Sequence, residues 1–173
     1  MAKKVIKTVR QLRGRLLRDH YTILSAERTE CSAAENERLT TFLKEFVIKG
    51  MGLEFYEVDG VYDNPNVTKK SFLVFFKDIE DMGRLESFAE HVADQESILV
   101  HYPLISDKHL VLPYATLVYL NGEKQGKREE LEGLRVESFK FQDTYISRIR
   151  GENLYFAFGV GLSQTRGIKS RRS

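Results

Sequence analysis

Ser71-Phe-Leu-Val-Phe-Phe76 is the stretch that most constrains what this chain can become. Phe72, Val74 and Phe76 alternate with Leu73 and Phe75, so a strand here is apolar on both faces. Such a strand lies inside a sheet and needs a covering layer on each side. The rest of the chain must supply a neighbour for each of its edges and cover for each of its faces.

The flanking sequence has the elements for this. Tyr21 to Ala26 is a short β-rich run. Ser32-Ala33-Ala34-Glu35 matches the S-x-x-E capping box, in which the Ser hydroxyl accepts from the backbone N–H three residues on. The predicted helix carries Leu39, Phe42, Leu43, Phe46 and Val47 on one face and stops at Gly50 and Gly52. Leu53 to Tyr62 reads as a strand, and Asp63-Asn64-Pro65-Asn66 as a turn. Asp78 caps a second helix with Met82, Leu85, Phe88, Ala89 and Val92 inward, and Ser97 to Tyr102 is a further strand. The order is βαββαβ, a ferredoxin-like unit over residues 21–102.

Residues 1–20 form an expected basic amphipathic helix, with Val5, Val9, Leu12 and Leu16 as its apolar stripe. Residues 103–160 read as a C-terminal β extension. A strand at 110–120 contains Pro113, which marks an edge or a bulge. Asn121-Gly122 is a hairpin signal, residues 123–133 read as a charged loop or short helix, and 136–141, 144–149 and 154–158 are strand candidates. Residues 161–173 are expected to be a disordered basic tail. The fold expectation is thus α+β: a ferredoxin-like segment with a basic N-terminal helix and extra C-terminal antiparallel strands.

Charge is polarised. The whole chain of 173 residues carries +2, but residues 1–20 hold seven basic side chains against Asp19, and residues 160–173 hold four basic and no acidic ones. The intervening body is therefore net −8. Lys3, Lys4, Lys7, Arg10, Arg13, Arg166, Lys169, Arg171 and Arg172 are candidate polyanion contacts; the alternative is that the basic ends pack on the acidic body. A single cysteine excludes an internal disulfide and fits a reducing, cytoplasmic setting. One cysteine and four scattered histidines give no zinc spacing, so no metal or cofactor is expected. No apolar run approaches the roughly 20 residues that span a bilayer.

Ser25-Ala26-Glu27-Arg28, Glu35-Asn36, Ser71-Phe72-Leu73-Val74 and Gln95-Glu96-Ser97-Ile98 together resemble domain of unknown function 3293, a family of bacteria and tailed phages. The resemblance covers residues 21–102 and departs after Ser25-Ala26, where Glu27-Arg28 stands in place of Asn-Pro. It implies a phage or bacterial origin, with the host cytoplasm as location, and brings no activity with it.

In a ferredoxin-like sheet those motifs meet at one polar edge: Ser25, Glu27, Arg28, Asn36, Lys70, Ser71, Gln95 and Ser97 are the candidate binding residues. A helix N-terminus with Arg28 and Lys70 beside it would favour an anion; the same residues could instead satisfy loop backbone. Cys31 precedes a helix, which lowers a thiol's pKa, but no histidine is placed to serve it as base. Lys70 to Phe76 only partly echoes an RNA-recognition strand, and Phe72, Val74 and Phe76 read as core. The leading expectation is a non-catalytic binding or regulatory protein for a nucleic acid or another macromolecule. The alternatives are a small enzyme acting on a nucleotide or another phosphorylated molecule, and a virion-associated component.

Overall fold

The computed structural model describes residues 5–28, 30–61, 70–102, 114–141 and 146–159. The turn at 63–66, Pro113 and the basic tail lie outside the described residues.

The chain opens with α1 (Val9–Arg18), then β1 (Tyr21–Leu24) and α2 (Ala33–Phe42), which runs on as a π-helical stretch, Leu43–Ile48. β2 (Glu54–Val61), β3 (Lys70–Phe75) and α3 (Ile79–Ser87) follow, with a second π-helical stretch at Phe88–Val92. β4 (Ser97–His101), β5 (Tyr114–Tyr119), β6 (Arg128–Glu132), β7 (Leu134–Glu137), β8 (Ile146–Ile149) and β9 (Tyr155–Phe158) complete it.

The nine strands of the described residues join one antiparallel sheet in the order β6-β5-β4-β1-β3-β2-β8-β9-β7. This corrects the ferredoxin-like expectation. A ferredoxin-like unit ends in two edges of its own, with later strands appended. Here β5 takes the edge of β4 and β8 takes the edge of β2. The C-terminal strands therefore extend the sheet in both directions. β6 ends at Glu132 and β7 starts at Leu134, so one residue, Gly133 at φ +88°, joins the two ends of the strand order. Its carbonyl accepts from the Gly159 N–H at 2.9 Å. The sheet must wrap to bring its ends together, giving a nearly closed, barrel-like form.

The two faces of β3 are covered as its sequence requires. Phe72, Val74 and Phe76 pack with Leu24, Ile98, Val100 and Val118 under α2 and α3. Leu73 and Phe75 pack on the concave side with Ile6, Leu12 and Leu16 of the N-terminal segment. Thr8 caps α1 in a Thr-x-x-Gln box, and Ser32 caps α2 by accepting from the Glu35 N–H at 3.2 Å.

The π-helical stretches correct the apolar stripes. Phe42 is 45% and Phe46 70% exposed, and Val92 is exposed too. Widening the turn to i→i+5 rotates the buried face, so Leu43 stays inward as expected while Ile48, rather than Phe46, is buried.

Candidate functional site

The concave face is set by register. Period-two alternation places Glu54, Phe75, Tyr21, His101, Ala115 and Leu131 in one row across six strands. The next row reads Tyr56, Leu73, Ile23, Leu99, Leu117 and Glu129. Beyond it lie Val58, Ser71, Ser97 and Tyr119.

The first row lies under α1. The Tyr21 hydroxyl donates to the Leu16 carbonyl at 3.0 Å, and its ring stacks on His101 at 4.7 Å and meets Phe75 edge-on. Burial raises the Tyr21 phenol well above its ordinary range. Arg15 reaches over the Phe75 ring at 4.0 Å and pairs in bidentate fashion with Glu54, at 2.8 and 3.1 Å, while also pairing with Asp19. His101 is 1% exposed. Its Nδ1 lies 2.7 Å from the Asp19 carbonyl, which can only accept, so Nδ1 holds the proton. Nε2 is buried, and among the described residues it has no hydrogen-bond partner.

The second row is less covered. Ile23, Leu99 and Leu117 are only half-buried, an apolar strip in the hollow of the sheet. Each end of this row carries a Tyr–Glu pair. The Tyr56 hydroxyl donates to Glu54 at 2.9 Å, and the Tyr119 hydroxyl donates to Glu129 at 3.0 Å. Partial burial, then the Glu54 carboxylate, raises the Tyr56 phenol. Half-buried Ser71 and Ser97 border the strip on the third row.

The polar corner at the end of β1 is a separate network. Ser25 Oγ donates to the Lys70 carbonyl at 2.6 Å and accepts from the Glu27 N–H at 3.1 Å. The Glu27 carboxylate accepts from the Lys70 N–H, and Gln95 Nε2 donates to the Glu27 carbonyl at 2.8 Å. Arg28 and Asn36 exchange two bonds, 2.8 and 2.9 Å, and the Arg28 guanidinium pairs with Glu30 and Asp94. Ser25, Glu27, Arg28, Asn36, Lys70 and Gln95 thus come together through these bonds, Lys70 by its backbone alone. Ser71 and Ser97 belong to the concave face instead. Asn121, read only as a turn residue, ties the corner to β5 by donating to the Gln95 and Glu90 carbonyls.

The Cys31 thiol is raised, not lowered, by partial desolvation and its hydrogen bond with Glu35, which removes the helix-start activation. Of the basic candidates, Lys7 pairs with Glu152 at 2.7 Å and Arg10 and Arg13 are exposed. Lys3, Lys4, Arg166, Lys169, Arg171 and Arg172 lie outside the described residues. Among the described residues no three His, Cys, Asp or Glu converge as metal ligands, and no helix is long and apolar enough to cross a membrane.

Sequence reasoning missed Tyr56, Tyr119 and Glu129. The alternation of Leu117 and Tyr119 was available as a signal. Glu129 gave none, because Arg-Glu-Glu-Leu-Glu has a single apolar residue and reads as loop.

A family model described as the S-adenosylmethionine lyase family matches residues 22–156. That is more than three quarters of the chain, and the chain belongs to this family. No curated protein matches it. The match overturns the resemblance to domain of unknown function 3293 and the phage attribution built on it. It also replaces the non-catalytic, nucleic-acid-binding expectation with the enzyme alternative.

Proposed function

From membership of that family we propose that this chain cleaves S-adenosylmethionine at a C–S bond, and that the half-buried strip of the concave face receives it. The observation that carries the activity is the family match over residues 22–156. The substrate is a nucleoside derivative, which fits the enzyme alternative in its nucleoside part rather than in a phosphate.

S-adenosylmethionine carries a sulfonium, an ammonium and a carboxylate. A lyase breaks the C–S bond without water. The bond electrons pass to sulfur, and the sulfonium becomes a neutral thioether. Either the substrate's own carboxylate oxygen closes on the carbon that sulfur leaves, or a neighbouring C–H proton passes to the substrate's carboxylate or to solvent as a double bond forms. In both cases positive charge vanishes from sulfur along the reaction. An apolar floor solvates a cation poorly and a neutral thioether well, so it favours the change. Ile23, Leu99 and Leu117 supply such a floor. The single cysteine supports a reducing, cytoplasmic location.

The test is incubation of the purified chain with S-adenosylmethionine, followed by mass spectrometry at early times. The expected result is a neutral thioether nucleoside, formed in step with substrate loss, and a partner fragment that has not gained the mass of water. Intact substrate at stoichiometric protein overturns the reading.

A further inference from the structure

The second row of the concave face ends in two Tyr–Glu pairs that differ in charge. Five inter-strand steps separate those ends, about 24 Å measured along the curved sheet at about 4.8 Å each. At the β2 end, Glu54 is held by the bidentate Arg15 guanidinium as well as by Tyr56. Its negative charge is already balanced. At the β6 end, Glu129 accepts from Tyr119, and among the described residues no salt bridge reaches it. Lys124 Nζ sits over the Tyr119 ring at 5.2 Å. Glu129 is half-buried, on the same face as the apolar strip and directly opposite Leu117. A fixed carboxylate with unbalanced charge at the end of an apolar strip is complementary to a cation whose remainder is apolar.

Resting on the lyase reading, we infer that Glu129, oriented by Tyr119, binds the ammonium group of the substrate's amino-acid end. The choice between its two cations follows from the chemistry. The sulfonium loses its charge in the reaction, so a carboxylate against it would hold the ground state more strongly than the transition state. The ammonium keeps its charge throughout, so a carboxylate there binds both states alike, lowering KM and leaving kcat alone. With the ammonium at Glu129, the sulfur lies back along the strip, over Leu117, Leu99 and Ile23. Glu129 is then a binding residue and Tyr119 a positioning residue.

Glu129→Gln keeps the shape and removes the charge. It should raise KM for S-adenosylmethionine by about 10- to 100-fold, the range of a hydrogen bond to a charged group, with kcat changed by less than about threefold. Equilibrium dialysis separates the groups. S-adenosylhomocysteine retains the ammonium but has no sulfonium, and should lose affinity by the same factor. Methylthioadenosine has neither, and its affinity should not change. Tyr119→Phe should shift KM in the same direction by less. An unchanged KM overturns the inference. So does equal weakening of all three ligands, which would mean that Glu129 only shapes the strand. Weakening of S-adenosylmethionine without S-adenosylhomocysteine would place the carboxylate at sulfur and overturn it as well, as would failure of the wild type to bind any of the three. If the wild type shows the ligand pattern without turnover, the lyase reading falls and the ammonium site stands; turnover without the pattern has the opposite meaning.

Discussion

His101 shows at the scale of one residue what the concave face demands. Its side chain is buried, stacked on Tyr21 and donating to the Asp19 carbonyl through Nδ1, while Nε2 has no hydrogen-bond partner among the described residues. Burial, the largest influence, lowers its pKa below the ordinary value, and nearby His20 lowers it further; the Asp19 carbonyl and the Asp19 charge oppose them. The unfolded chain takes up a proton near pH 6.5, while the folded chain resists until lower pH. Stability is therefore full above about pH 6.5 and is lost as pH falls through the folded pKa, at up to about 1.4 kcal/mol per pH unit. Chemical denaturation between pH 7.5 and 5.5 should show this slope in the wild type, and His101→Leu should flatten it. An unchanged slope in the variant would assign the proton uptake elsewhere.

At the scale of elements, α1 is the least independent piece. Its mean composition is polar, and only Leu12 and Leu16 are fully buried along it. Yet those two leucines cover the Tyr21–Phe75–His101 row, and Arg15 ties the helix to β2 through Glu54. Leu16→Ala removes buried methyl groups from a packed interior and should destabilise by about 3 kcal/mol. Arg13→Ala, at an exposed position of the same helix, should change stability by less than about 0.5 kcal/mol. Urea denaturation of both variants checks this; similar losses would mean that helix propensity, not burial, holds α1. Of the expected stripe Val5, Val9, Leu12 and Leu16, the part within α1 was legible in the sequence because the helix keeps the 3.6-residue period; Val5 precedes the helix and is exposed, and Ile6 is buried in its place. The stripe of α2 was not, because the π-helical stretch after Phe42 changes the period where Phe46 was expected to turn inward. β6 was hidden for a different reason. Strand alternation shows only when one face is apolar, and Arg128–Glu132 offers polar residues to both sides of the sheet, with Leu131 alone buried. The corner residues Ser25, Glu27, Arg28, Asn36, Lys70 and Gln95 were legible as neighbours because each sits at a strand or helix end fixed by a strong apolar pattern. The Tyr119–Glu129 pair depends on a strand that no pattern announced.

For the whole molecule, the decisive step is closure. The sheet runs from β6 to β7, and the chain passes between these two end strands through Gly133. A φ of +88° at that residue is cheap for glycine and costs an L side chain about 1–2 kcal/mol, more for a β-branched one. The same residue's carbonyl holds the Gly159 N–H, tying the end of β9 to the corner. Gly133→Val should therefore lower stability by about 2 kcal/mol. It should act on function through β6, because loosening the corner frees the strand that carries Glu129. The expected signature is a raised KM for S-adenosylmethionine together with a lowered denaturation midpoint. Gly126→Val is the control. Gly126 also has positive φ, at +85°, but lies in the β5–β6 connection, so the backbone cost is similar while the ends of the sheet stay joined. If both variants lose the same stability and only Gly133→Val raises KM, closure positions the site. If Gly126→Val raises KM equally, the β5–β6 hairpin alone fixes Glu129, and the wrapping of the sheet has no part in binding.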